Sequence, residues 1–201
     1  MTKFKLLLLF LISNYTFGQQ LISGYYNSEL KLAFDPISKM VTGYYESYTG
    51  LDEIIQHPVF SCIFYIQGKV NSKKFAIKTF YPDNKNNDKI TGTLEIINSK
   101  TCKIKLPEEH GGCWNVQHFA DEPVNFTLDK KTNWIQIRYI KSLKSYFYSD
   151  KSTTEKTNVY LIQGDFDCIE KKEQDWALCN YFGEKSSKKG WILLKDLNKL
   201  E

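Results

Sequence analysis

Short runs in which apolar and polar residues alternate constrain the fold of this chain more than any other feature. Leu30–Phe34 and Thr101–Leu106 follow the two-residue period of a β-strand, and Asp35–Lys39, with Pro36 inside it, has the composition of a tight turn. Aromatic residues make up 15% of the sequence, and they favour the half-buried surface of a sheet. The sequence therefore predicts an all-β protein.

The alternating runs between Gln20 and about Leu128 follow one another with short connections, which is typical of an antiparallel meander. About eight such strands would close into a small barrel and remove the exposed edges, and an open sandwich is the alternative. This architecture is similar in a general way to the calycin class of barrels, which includes the lipocalins. We predict an antiparallel β domain over residues 19–130.

The N-terminus has the organisation of an export signal. Lys3 and Lys5 precede the apolar run Leu6–Ile12, and the small residues Thr16 and Gly18 stand at the third and the last position before a predicted cut after residue 18. The apolar run is well short of the roughly 20 residues that span a bilayer. We therefore predict a signal peptide over residues 1–18, a mature protein without a membrane span, and a periplasmic or secreted location.

Charge and length narrow the class of function. Removal of Lys3 and Lys5 with the signal peptide lowers the formal charge from +4 to +2. A nearly neutral chain does not carry the basic footprint of a nucleic-acid-binding protein. The remaining length of about 183 residues suits one large domain or two small ones.

Five cysteines in an exported chain predict up to two disulfides and a free thiol. Cys102 alternates in phase with apolar neighbours, which favours a core thiol. Cys168 and Cys179 flank a predicted hairpin and are candidates for a bridge across it. Cys62 and Cys113 are candidates for a long-range bridge.

Residues 134–197 resemble a bacterial SH3-like domain. The resemblance rests on three motifs that occur together at the expected spacing, namely Gly164-Asp165, Asp175-Trp176 and Gly190-Trp191-Ile192. It implies a small SH3-like β-barrel, which we place at residues 131–201. Asp167 departs from the pattern, because that family has an apolar core residue there, and this predicts a shifted or bulged strand.

The resemblance also implies a ligand groove and a class of partner. Such domains bind cell-wall peptides or proteins through one groove, and aromatic side chains suit that contact because they bring a large area at a low entropic cost. The candidate groove residues are Tyr146, Tyr148, Trp176, Tyr181 and Trp191.

The segment from Glu108 to His118 is the densest polar cluster of the chain, and three interpretations of it compete. Cys113 could be the nucleophile of a thiol enzyme, with a histidine as its base. His110, Cys113 and His118 could hold a metal. A structural turn with a Cys62–Cys113 bridge is the third interpretation and the one that we favour.

Together these features predict a non-catalytic binding protein of the cell envelope, without a cofactor, whose SH3-like domain contacts peptidoglycan peptide or a protein partner. An inhibitor or immunity-type protein that blocks a secreted hydrolase is the first alternative. A thiol enzyme or metal-binding protein using His110, Cys113 and His118 is the second.

Overall fold

The fold was analysed on a computed structural model, which describes residues 21–82, 89–182 and 187–200. The predicted signal peptide, residues 1–18, lies outside these ranges. Nearly all regular structure is strand, which confirms the all-β prediction. The helices in the described ranges are short 3₁₀ turns, and none of them has the length or the apolar composition to cross a membrane.

The first part of the chain forms a closed antiparallel barrel, so the barrel prediction is confirmed over the sandwich. Each strand pairs with the next one along the chain, and pairing of the first with the last closes the wall. The strands are β1 (Gly24–Tyr26), β2 (Leu30–Asp35), β3 (Met40–Asp52), β4 (His57–Lys69), β5 (Lys74–Phe80), β6 (Ile90–Asn98), β7 (Thr101–Lys105) and β8 (Val124–Lys131).

The alternation in the sequence determines which side chains fill the barrel. Leu94 and Ile96 of β6 and Cys102 and Ile104 of β7 point into one apolar core. Cys102 is a free thiol inside this core, as its phase predicted, and burial raises its pKa to about 12. The thiol therefore acts as a small apolar side chain.

The second part of the chain forms a six-stranded antiparallel sheet. Its strands are β9 (Gln136–Tyr139), β10 (Lys144–Tyr148), β11 (Lys156–Ile162), β12 (Phe166–Glu173), β13 (Trp176–Phe182) and β14 (Ser187–Leu193). Their order across the sheet is β11-β10-β14-β13-β12-β9. Phe147, Ile169, Ile192 and Leu197 are among the residues of the core on its inner face.

Asp167 lies in a regular part of β12, so the expected shift or bulge at this residue is wrong. The register from Phe166 to Ile169 against β9 is uninterrupted, and the irregularity against β13 comes later, between Ile169 and Lys171. The Asp167 carboxyl is fully buried, and burial raises its pKa to about 8. Its Oδ1 accepts a hydrogen bond of 2.9 Å from the Cys168 N–H.

The barrel and the second sheet pack against each other through an aromatic cluster. Tyr44 of β3 stacks on Phe166 of β12, with ring centroids 4.2 Å apart, and the Tyr65 hydroxyl donates to the Gly164 carbonyl at 2.9 Å. Trp134, just before β9, is buried in the same cluster. Strands β2 and β3 are therefore covered on both faces, by the barrel core on one side and by the second sheet on the other.

Candidate binding surface

Four of the five predicted groove residues lie on one outer face of the second sheet. Tyr148 of β10 is directly opposite Trp191 of β14, and the ring of Trp176 meets that of Tyr148 edge-on at 4.9 Å. Tyr146 lies two residues before Tyr148, with the core residue Phe147 between them. These strands alternate inward and outward, so the aromatic rings share the side away from the inner core.

Tyr181 does not belong to this face, and its inclusion in the groove was wrong. It is five residues after Trp176 on β13, and an odd separation along a strand points the two side chains to opposite faces. Tyr181 instead packs against the inner core, in phase with Ala177 and Cys179.

Three lysines lie over the aromatic rings of this face. The Lys144 ammonium is 3.7 Å from the ring centroid of Tyr160, and the Lys156 ammonium is 3.5 Å from that of Tyr146. A third, Lys151, lies 5.3 Å from the Trp191 ring. We call the surface formed by these lysines and by Tyr146, Tyr148, Tyr160, Trp176 and Trp191 the lysine-aromatic face.

The sequence pattern did not identify Tyr160 or the three lysines. Tyr160 lies on the edge strand β11, directly opposite Tyr146 of β10. The apolar and aromatic run from Val159 to Ile162 indicates a strand, but it carries no information about which strand lies next to it. Only the pairing of β10 with β11 brings Lys144 over the Tyr160 ring and Lys156 over the Tyr146 ring.

Only some of the lysines on this face form ion pairs with acidic side chains of the described residues. Glu173 forms ion pairs with Lys151 and Lys171, and hydrogen bonds from these two lysines lower its pKa to about 2. Within the described part of the chain, Lys144 and Lys156 form no ion pair. The β10–β11 end of the face therefore presents positive charge next to aromatic rings.

Cys62 and Cys113 form the predicted long-range disulfide. They are 51 residues apart in the chain, and their Cα atoms are 4.3 Å apart. The bond joins β4 to the 3₁₀ turn Cys113–Asn115. Cys113 consequently has no thiolate to offer as a nucleophile or as a metal ligand.

The second predicted bridge, between Cys168 and Cys179, is wrong. Both residues are free thiols, and their strands pair in a register that places Cys179 opposite Ile169 rather than opposite Cys168. Cys179 therefore points into the inner core of the second sheet, whereas Cys168 points to the aromatic cluster against the barrel.

His110, Cys113 and His118 do not converge on a ligand set. The His110 ring stacks on Phe64 with its Nε2 2.8 Å from the Thr79 hydroxyl, whereas the His118 Nδ1 is 3.4 Å from Asp121. No group of three potential ligands in the described ranges is arranged to hold a metal. The structural interpretation of this segment is the one that the geometry favours.

A cavity of about 660 Å³ lies beside the polar cluster, at one end of the barrel. Its lining includes Tyr81, Lys89, Glu108, Glu109 and His110. The Thr79 hydroxyl that His110 contacts donates its own proton to the Ile90 carbonyl at 3.2 Å. The contact with Thr79 joins the segment from Glu108 to His118 to β5 beside the cavity.

The chain was compared with protein-family models, with curated proteins and with solved structures, and no significant match was found in any of the three comparisons. The functional conclusion therefore depends on the residues and contacts described above.

Proposed function

We propose that this chain is an exported, non-catalytic binding protein of the cell envelope, and that the lysine-aromatic face of its second sheet binds the peptide part of peptidoglycan. The observation that supports the proposal most is the shared face of Tyr146, Tyr148, Trp176 and Trp191, with lysines over the partly exposed rings of Tyr146 and Trp191 and the buried rings of Tyr148 and Trp176 between them. The resemblance of residues 134–197 to a bacterial SH3-like domain favours the same face.

The chemistry of the face suits an anionic, extended peptide. Tyr160 is exposed and Tyr146 and Trp191 are partly exposed, so these rings offer contact area with little loss of side-chain entropy, and ammonium groups held over them by cation–π contacts remain available to carboxylates. Lys144 and Lys156 have no ion-pair partner in the described ranges, so they can pair with a ligand without first breaking a bond. The stem peptides of peptidoglycan carry free carboxylates.

The absence of an activated thiol supports a binding role rather than thiol chemistry. Cys113 is in a disulfide, and the three free thiols, Cys102, Cys168 and Cys179, are all buried. Burial raises the pKa of each of these thiols, and a nucleophilic cysteine needs the opposite shift.

Sedimentation with purified, insoluble peptidoglycan tests the proposal. Tyr160→Ala removes an exposed ring from the face, and Tyr48→Ala is a matched control on β3, because the two tyrosines are 44% and 50% exposed. We expect Tyr160→Ala and Trp191→Ala to reduce the bound fraction at least fivefold, and Tyr48→Ala to leave it unchanged. Circular dichroism shows whether each variant is folded.

Two results would contradict the proposal. Equal binding by wild type, Tyr160→Ala and Trp191→Ala would exclude the lysine-aromatic face as the site. No binding to peptidoglycan, together with specific co-purification of a protein that Tyr160→Ala abolishes, would replace the wall ligand with a protein partner.

A further inference from the structure

Strands β3 and β4 continue beyond the wall of the barrel as a two-stranded ribbon. Strand β2 pairs with β3 only as far as Tyr45, and β5 pairs with β4 only from Tyr65 onward. The ladder between β3 and β4 nevertheless continues to Asp52 and His57. We call residues 47–63 the ribbon; Ser47 and Cys62 at its base are buried, and the five residues or so beyond them on each strand correspond to roughly 16 Å.

The tip of the ribbon exposes large apolar side chains to an unusual degree. Ile54 is 92% exposed, Leu51 63% and Ile55 61%, and Val59 and Phe60 are also exposed. Single exposed apolar residues are common on protein surfaces, but three at one projecting tip, with two more on the adjoining part of β4, are typical of an interaction site.

Hydrogen bonds fix the tip in one conformation. The Asp52 carboxylate accepts from the N–H groups of Ile54 and Ile55 at 2.9 and 3.2 Å, and the Gln56 N–H donates to the Asp52 carbonyl at 2.8 Å. Gln56 has a φ of 55°, so it completes the turn in the left-handed region. The two isoleucines are therefore presented to solvent by a preorganised turn, which lowers the entropic cost of binding.

The base of the ribbon is fastened to the barrel at two points. The Cys62–Cys113 disulfide joins β4 to the 3₁₀ turn, and the Thr49 hydroxyl donates to the Asn115 carbonyl at 2.7 Å. A side chain at Gly112 would collide with the Ser61 carbonyl, so this glycine permits the close approach. The ribbon is thus a stiff projection rather than a loose loop.

The charge of the ribbon indicates what it binds. Lys39 and Lys69 flank a stretch of 29 residues without a lysine or an arginine, in a chain that has 27 of them. The tip carries Asp52 and Glu53, and Glu29 lies beside the base, where it accepts a hydrogen bond from the Ser47 hydroxyl at 2.7 Å. An apolar tip with acidic flanks is complementary to an apolar cleft with a basic rim.

We propose that the ribbon tip inserts Ile54 and Ile55 into an apolar cleft of a protein partner whose rim is basic. A second copy of this chain is a poorer occupant, because it would bring Asp52 and Glu53 against their own counterparts. An anionic membrane surface would repel the same two carboxylates. This interaction surface involves other residues than the lysine-aromatic face and does not depend on the function proposed for that face.

Site-specific photo-cross-linking in the cells that produce the protein tests the proposal. A p-benzoylphenylalanine replaces Ile54 in one strain and Ile37 in another. Ile37 is a matched control, because it is 93% exposed at the tip of the β2–β3 turn. We expect a cross-linked protein with residue 54 that is absent with residue 37, and basic residues next to the cross-linked peptide of that protein.

Titration of the purified partner with the full mature chain completes the test. Ile54→Ser combined with Ile55→Ser should weaken binding at least tenfold, and Ile37→Ser should leave it unchanged. Glu53→Lys should weaken binding severalfold at low ionic strength and much less at about 0.5 M salt, where charges on a rim are screened.

Four outcomes would overturn the proposal. They are the absence of any product specific to residue 54, a product that is a second copy of this chain, a partner without basic residues at the contact, and a dissociation constant that the Ile54→Ser and Ile55→Ser variant leaves unchanged. Sedimentation of the wild type with vesicles containing anionic lipid, if Ile54→Ser and Ile55→Ser abolished it, would replace the protein cleft with a membrane surface.

Discussion

The ribbon and the lysine-aromatic face are both exposed and rich in apolar surface, but they differ in charge and in origin. The ribbon is acidic and is formed by one hairpin, so its residues are close in the chain. The lysine-aromatic face is basic at its β10–β11 end and gathers side chains from β10, β11, β13 and β14. Two surfaces of opposite charge on one chain suit two different partners.

The two surfaces also differ in what holds them in place. A covalent bond, Cys62–Cys113, and the Thr49 hydrogen bond hold the base of the ribbon. The lysine-aromatic face depends on the inner core of the second sheet, where Phe147, Cys179 and Ile192 pack behind it. Perturbations of one support should therefore leave the other surface intact, and the following predictions test that separation.

Removal of the disulfide should have the largest effect. Cys62→Ser combined with Cys113→Ser opens a loop closed across 51 residues, and we expect the free energy of unfolding to fall by about 4 kcal/mol. Urea denaturation measures this loss, and reductant should shift the wild type but not the variant. Cross-linking through residue 54 should weaken, while peptidoglycan binding by still-folded protein should persist. A loss below about 1 kcal/mol would contradict the prediction.

The buried Asp167 should make stability depend on pH. Its pKa is raised from 3.8 to about 8 in the folded chain, so between these values the native state binds the proton that the unfolded state has released. The free energy of unfolding should therefore fall as the pH rises through this window.

Asp167→Asn is the control for this effect, because the amide does not titrate. Thermal or urea unfolding at several pH values should give a flatter curve for the variant than for the wild type. Parallel curves for the two proteins between pH 4 and pH 8 would contradict the prediction.

Charge reversal on one surface should leave binding at the other surface unchanged. Lys156→Glu should weaken peptidoglycan binding roughly fivefold, because it replaces a favourable contact worth about 1 kcal/mol by a repulsive one. The same substitution should leave cross-linking through residue 54 unchanged, and Glu53→Lys should leave peptidoglycan binding unchanged. An equal effect of both substitutions on both ligands would indicate a single shared site.

Serine substitutions at the ribbon tip should have the smallest effect on stability. Ile54 and Ile55 are exposed, so Ile54→Ser combined with Ile55→Ser should change the free energy of unfolding by no more than about 0.5 kcal/mol. Ile37→Ser is the matched control in the same urea titration. A loss of 2 kcal/mol or more would indicate that the tip is packed rather than presented to solvent.

Alternation in the sequence predicted the strands well, because each side chain on a strand points to one of only two faces of the sheet. It placed Cys102 in the core and gave the barrel its meander order. Alternation was less successful where the pairing register of two strands decides which residues lie opposite each other. Cys168 and Cys179 face opposite sides because the irregularity between Ile169 and Lys171 shifts the pairing of β12 with β13 by one residue, so that Cys179 lies opposite Ile169.

Tyr181 and Tyr160 show the same limit of prediction from sequence patterns. Tyr181 is aromatic, as expected of a groove residue. It is, however, an odd number of residues from Trp176 on the same strand, so its side chain points to the opposite face. Tyr160 points to the lysine-aromatic face, but it lies on β11, and the sequence does not indicate which strand pairs with β11. The position along β13 decided that Tyr181 does not share a face with Trp176, and strand pairing decided that Tyr160 shares one with Tyr146.

The sequence by itself determined that this chain folds as β-structure, that Cys102 points inward, and that its lysines avoid the stretch between Lys39 and Lys69. These properties depend on residue type and on local period. Only the tertiary structure decided that β2 and β3 are covered on both faces, that the ribbon projects from the barrel, and that lysines lie over aromatic rings. Each of these depends on which strands become neighbours, and that is a balance of contacts between residues distant in the chain.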